Sequence, residues 1–171
     1  MKKIKKILLL LLVCVTLGTL TGCGEENIEG KLSDLMASIY EDVYADIPEE
    51  ERPMLATTDA LNPFEDATQE DITNYIIYSI GTKDIDYKEI YVTEPMMGSI
   101  AHSVVLVRMK DGANIEEAKK EIKENVNPRK WVCVGVPEEE VIVKSRGDLI
   151  ILIMVEDETA RTRIEKGFDN L

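Results

Sequence analysis

Histidine is nearly absent from this chain. His102 is the only one, so any Ser-His-Asp or Cys-His mechanism would have to pass through it. It follows the stretch Pro95-Met96-Met97-Gly98-Ser99-Ile100-Ala101, which reads as a loop, and a solvated loop histidine is the plain expectation. Cysteine is almost as scarce, at positions 14, 23 and 133. One free cysteine and one histidine do not make an ordinary zinc set, and three cysteines do not make a disulfide framework. Long apolar runs are missing too. The stretch from Ile7 to Leu20 has about 14 residues, short of the ~20 that cross hydrocarbon. Basic residues are outnumbered, 20 Lys and Arg against 33 Asp and Glu, for a formal charge of −13. Such a surface repels nucleic-acid phosphates and anionic headgroups, which excludes nucleic acid and polybasic membrane contact as partners.

What the N-terminus does contain is a processing signal. Lys2, Lys3, Lys5 and Lys6 precede the apolar run, which ends in Leu20-Thr21-Gly22-Cys23. Small residues before a cysteine are what a lipoprotein signal peptidase recognises, and the Cys23 thiol would accept a diacylglycerol. Residues 1–22 are therefore read as a removed signal peptide and set aside from fold reasoning. Residues 23–30 are read as a lipidated tether, in which the seven residues from Gly24 to Gly30 reach at most about 25 Å. Residues 31–171 are read as one domain. Cleavage would remove the four lysines and take the formal charge from −13 to −17. The expected location is the extracytoplasmic face of a cell membrane, held by lipid on Cys23. Cys14 leaves with the signal, and Cys133, between Val132 and Val134, is expected to be a small buried hydrophobe.

Along the domain, Leu32, Leu35, Met36, Ile39, Tyr40, Val43 and Ile47 fall at helical spacing, and Pro48 ends the pattern. Residues 41–71 hold eleven acids and one base, Arg52, with prolines at 48, 53 and 63, and read as a long acidic connection. Thr68, with Asp71 three residues on, should cap a second helix that Gly81 stops. Glu89–Thr93 and Ser103–Lys110 read as strands, with Val105, Val107 and Met109 on one face and Arg108 and Lys110 on the other. Asn114 should cap a helix with core residues Ile115, Ala118, Ile122 and Val126. Alternation weakly favours a strand over Trp131–Val136. Val141–Ser145, Gly147-Asp148 and Leu149–Val155 read as a hairpin. Its second strand, apolar on both faces, should be central and covered twice. A last helix from Glu158 buries Ala160, Ile164 and Phe168.

The remaining motifs carry little chemistry. Glu49-Glu50-Glu51 and the acids at 65, 66, 70 and 71 lack the alternating oxygens and turn glycine of a calcium loop. Arg146-Gly147-Asp148 spells an adhesion tripeptide, but Gly-Asp has a sufficient task as turn residues. Pro95-Met96-Met97 is a soft apolar patch, either core filling or a contact surface.

The order of these pieces resembles the lipoproteins grouped as domain of unknown function 4358, found mostly in clostridial and other Gram-positive bacteria. The resemblance runs from about Leu32 to Phe168. It is carried by Tyr91-Val-Thr-Glu-Pro-Met-Met97, Val104-Val-Leu-Val107, Lys130-Trp131 and the Gly147-Asp148 hairpin leading into Leu149–Met154. It implies a lipid-anchored outer-surface domain and brings no activity, cofactor or site residue with it.

The expected fold is a two-layer α+β domain, a mainly antiparallel sheet of about four strands with helices on one face, in the order α-α-β-β-α-β-β-α. The short tether, the missing catalytic set and the acidic surface favour a non-enzymatic binding or accessory module at the cell envelope. Its partner would be a protein or envelope component, with no cofactor, metal or catalytic residue. Two other readings stay open: a carboxylate-dependent hydrolase of envelope polymers, and a cation-responsive module built on the 41–71 acids.

Overall fold

The computed structural model describes residues 27–171. The signal-peptide and lipidation residues Leu20, Thr21, Gly22 and Cys23 lie outside them. No helix among the described residues is long and apolar enough to cross a membrane. The elements run α1 (Leu32–Tyr40), β1 (Leu55–Asp59), α2 (Gln69–Ile80), β2 (Tyr87–Pro95), β3 (His102–Met109), α3 (Ile115–Asn125), β4 (Ile142–Arg146), β5 (Leu149–Val155) and α4 (Glu158–Asp169). Short 3-10 turns sit at Glu49–Glu51 and Glu138–Glu140. The strands form one five-stranded sheet, β1-β2-β3-β5-β4, antiparallel at every pairing.

The α+β class and antiparallel sheet match the sequence reading, and three of its details are corrected. The first is the layering. Alternate residues of β3 and β5 feed two separate cores. Val105, Val107, Ile150 and Leu152 pack with Ile76 and Ile80 of α2 and Ala118 and Ile122 of α3. Val104, Leu106, Ile151 and Ile153 pack with Leu32, Met36 and Ile39 of α1 and Ile164 and Phe168 of α4. Helices therefore cover both faces, giving three layers rather than two. Both central strands demand this, because burying only one face would leave half their aliphatic side chains in water. The second correction is the strand count, since β1 lies in what reads as a connection. The third is Trp131–Val136, which is not a strand: it is irregular, with bends at 131–133 and Cys133 at φ +62°.

Local signals act as the sequence leads one to expect. Thr68 and Asp71 form a reciprocal capping box at α2, and the Asn114 and Asp157 side chains cap α3 and α4. Gly81 ends α2 at φ +82°, and a Cβ there would lie 2.3 Å from the Asn125 carbonyl carbon, so only glycine lets α2 end against α3. Gly167 does the same for α1 and α4, where a Cβ would meet the Ile39 carbonyl oxygen at 2.6 Å.

Candidate functional site

The N-terminal segment is clamped at one end of the sheet. The Ile28 N–H donates to Asp148 Oδ1 at 3.0 Å, and Arg108 Nη2 donates to the Gly30 carbonyl at 2.8 Å. Arg108 also lies 3.7 Å from Asp148, while its buried Nε has no hydrogen-bond partner among the described residues. Asp148 thus holds the incoming chain, and Arg146 donates to the Asp169 carbonyl at 2.7 Å. The Arg-Gly-Asp tripeptide is built into the fold rather than displayed. Ile28 and Gly30, within the stretch read as tether, are held by the domain.

The opposite end carries the features that invite function. Met54, Met96, Met97 and Val132 are each more than half exposed. They are contiguous: the Met96 N–H donates to the Met54 carbonyl at 2.9 Å, and the Val132 N–H donates to the Gly98 carbonyl at 2.8 Å. This settles the Pro-Met-Met stretch as surface. Val132 and Gly98 touch because residues 127–137 fold back as a loop, closed by the Val136 N–H donating to the Pro128 carbonyl at 2.9 Å.

Under that surface lies an ion pair. Lys130 Nζ is 2.5 Å from Glu94 Oε1, with the two side chains 2% and 18% exposed. Ser103 Oγ donates to Glu94 at 3.0 Å and accepts from Lys130 at 3.1 Å. The ammonium also sits 4.3 Å from the Tyr78 ring centroid and 5.6 Å from Trp131. Burial holds the Lys130 pKa below its ordinary value, against an opposing pull from Glu94. A Ser-Lys pair at this distance has the outline of a nucleophile and its base. Two observations argue against that chemistry: Ser103 is fully buried, and the lysine nitrogen is already engaged by the Glu94 carboxylate. The trio joins the Met97–Val132 surface to the sheet, and no sequence motif announced it.

His102 corrects its sequence reading. It is the first residue of β3, 2% exposed, on the face opposite Ser103. Its Nε2 shares a 2.6 Å hydrogen bond with the Tyr40 hydroxyl, and Nδ1 lies 3.5 Å from the Tyr44 hydroxyl. Burial lowers its pKa to about 4, against an opposing pull from Asp157. Burial also raises Tyr40 well above the phenol range and Tyr44 to about 12, with smaller help from Tyr44 and Asp157 respectively. At neutral pH this is an uncharged hydrogen-bonded cluster. It closes one side of a cleft of about 350 Å³ lined by Tyr44, Ile47, Pro53, Ile100 and Asp157. Strand alternation turns Ser103 away from His102, so no serine-histidine pair forms.

Cys133, expected to be buried, is exposed. The left-handed backbone at this residue breaks the alternation that would have sent it inward, while Trp131 and Val136 on either side go into the core. It lies in a cleft of about 690 Å³ with Arg129, Glu138 and Glu139. A maleimide should therefore modify Cys133 in the folded protein nearly as fast as in urea, measured by mass spectrometry of the 131–136 segment. A rate rising a hundredfold or more on unfolding would contradict the exposed position.

The acids of residues 41–71 are dispersed rather than convergent. Asp46 pairs with Arg163, which holds its carboxyl at about 2, and Asp71 serves the α2 cap. Among the described residues, no group of three or more His, Cys, Asp or Glu side chains is placed to hold a metal ion.

No family model matches the chain, and neither the curated proteins nor the solved structures contain a match. The likeness to the domain 4358 lipoproteins rests on the quoted segments alone.

Proposed function

We propose that this chain is a lipid-anchored, extracytoplasmic, non-enzymatic binding module whose working surface is the end of the sheet remote from its anchor. One observation carries the reading: the clamp on Ile28 and Gly30 lies at the far end of β3 and β5 from the exposed Met54-Met96-Met97-Val132 surface. Eight residues of β3 separate the two by roughly 25 Å. A lipid on Cys23 would hold the clamped end at the bilayer and turn the methionines toward the envelope space. Methionine is a soft, adaptable contact residue, and a surface exposing several together is one that a partner covers. The Glu94-Ser103-Lys130 lock beneath gives it a fixed shape. A bound lipid is not the expected occupant, since the surface faces away from the membrane.

The test has two arms. Mass spectrometry should find the mature N-terminus at Cys23 with diacylglycerol attached, and Cys23→Ala should leave the precursor intact. The double variant Met96→Ser/Met97→Ser, whose side chains are exposed, should fold and reach the surface normally yet fail to restore a deletion strain. Full restoration at matched abundance would remove the methionine surface from the function.

A further inference from the structure

The two edges of the sheet are guarded unequally. Lys144 and Arg146 stand on β4, and both are tied to α4: Lys144 donates to Glu165 and Asp169, Arg146 to the Asp169 carbonyl. Charged residues on an edge discourage further pairing. β1, the other edge, reads Leu55-Ala56-Thr57-Thr58-Asp59 and contains no lysine, arginine or proline.

The register identifies which of its main-chain groups face outward. Opposed residues in an antiparallel pair alternate between exchanging hydrogen bonds and not exchanging them. The Met96 N–H donates to the Met54 carbonyl and the Ala60 N–H donates to the Ile90 carbonyl, each at 2.9 Å, which makes 54 and 60 bonded positions. Ala56 and Thr58 share their parity, so they bond to β2 as well. The N–H and C=O of Leu55 and Thr57, and the N–H of Asp59, therefore point away from β2. The Asp59 carbonyl accepts instead from Asn62 at 3.0 Å. Ala56 and Thr57 are exposed.

Charge decides what can approach. Glu49, Glu50 and Glu51 precede the strand, and Arg52 is the one base between 41 and 71. At the other end Asp59 lies across from Tyr91, where Glu89 and Asp34 also gather closely enough to help raise that phenol's pKa, after burial. A second copy of the chain would bring the same carboxylates to the same place and be repelled. Building on the binding-module reading, we propose that β1 is a docking edge to which an extended, lysine- or arginine-bearing segment of another protein adds as a sixth strand. Its main chain would pair with Leu55, Thr57 and Asp59, its basic residues would meet the flanking acids, and an apolar residue would reach Met54 at the strand's start.

The experiment uses the full chain as cells produce it, in mild detergent, with three dye-labelled peptides. These are Lys-Val-Thr-Val-Thr-Val-Lys, its counterpart with glutamate at both ends, and the lysine peptide with alternate backbone amides N-methylated. The lysine peptide should bind at least tenfold more tightly than the glutamate peptide and slow hydrogen exchange in 55–59 but not in 142–146. N-methylation should abolish binding. Thr57→Pro removes an outward N–H, which an edge strand tolerates, together with the 2.9 Å hydroxyl contact to Thr93, and should abolish binding with the exchange pattern outside β1 and β2 unchanged. Should Thr57→Pro disturb the fold, Ala56→Lys, at an exposed side chain with no hydrogen bond to lose, should weaken the lysine peptide about tenfold. No binding up to millimolar peptide, equal binding of the two charge types, protection confined to other segments, or a dimer pairing through β1 would each overturn the proposal. In cells, full activity of Thr57→Pro beside an inactive Met96→Ser/Met97→Ser variant would remove the edge proposal and leave the module reading standing.

Discussion

Lys130→Met should destabilise the domain by about 3–5 kcal/mol, the usual cost of removing one partner from a buried ion pair. The loss comes from what is left behind. Glu94, only 18% exposed, would keep the Ser103 hydroxyl as its hydrogen-bond donor and lose the charge that offsets its desolvation. Adding Glu94→Gln should recover most of the loss, since no unpaired charge then remains. The residual deficit should be about 1–2 kcal/mol, from the amide's incomplete hydrogen bonding and the lost contacts to Tyr78. Urea unfolding followed through Trp131, the one tryptophan, measures both variants. A single-variant loss below 1 kcal/mol would mean that the pair behaves like a surface salt bridge.

The second large effect is a pH dependence owed to His102. Its pKa falls from 6.5 to about 4 on folding, so the folded state holds it neutral where the unfolded chain already binds a proton. Stability from this group is whole above pH 6.5, declines as pH falls, and is gone below about 4. At 1.36 kcal/mol per pKa unit the difference between pH 7 and pH 4 is about 3 kcal/mol. Asp46, at about 2, and Asp71, also lowered, have the same sign but act at lower pH, below the ordinary carboxylate range. The two contributions therefore separate on the pH axis. His102→Gln keeps a hydrogen-bonding group near Tyr40 and removes the titration. Between pH 7 and 4 the wild type should lose about 3 kcal/mol more than His102→Gln in urea melts. Parallel curves for the two proteins would mean that His102 titrates in the open.

The elements with strong local chemistry were legible in the sequence. Thr68 with Asp71, Asn114, Gly81 and the Gly147-Asp148 turn each place a boundary through a contact a few residues away. β1 was hidden because Leu55-Ala-Thr-Thr-Asp has one large apolar residue and sits among acids and prolines. As an edge strand packed lightly, it needs no more. The third layer was readable in principle. Val104–Val107 and Leu149–Val155 are apolar at consecutive positions, which requires cover on both faces, while the helix stripes alone do not say which face each one takes. His102 and Cys133 were misplaced for a common reason: burial at both is decided by distant segments. α1 brings Tyr40 to His102, and the Gly98–Val132 contact sets the loop that turns Cys133 outward. The Glu94-Ser103-Lys130 trio unites three residues from separate stretches of chain, so no spacing rule could assemble it.

The tight crossing of α1 and α4 at Gly167 and Ile39 has a consequence for assembly order. Leu32, Met36, Ile39 and Val43 leave the ribosome well before the surface that receives them is complete, because that surface joins β2 and β3 to the later β5 and α4. Until Ile164 and Phe168 arrive, the first helix has a greasy face and only part of its cover. Contacts that join the two ends of a chain slow its folding and lengthen the time its apolar parts stay wet. A nascent chain of this protein is thus a natural client for a holding chaperone, and a product truncated before α4 would be prone to aggregate through α1 rather than persist as a smaller domain.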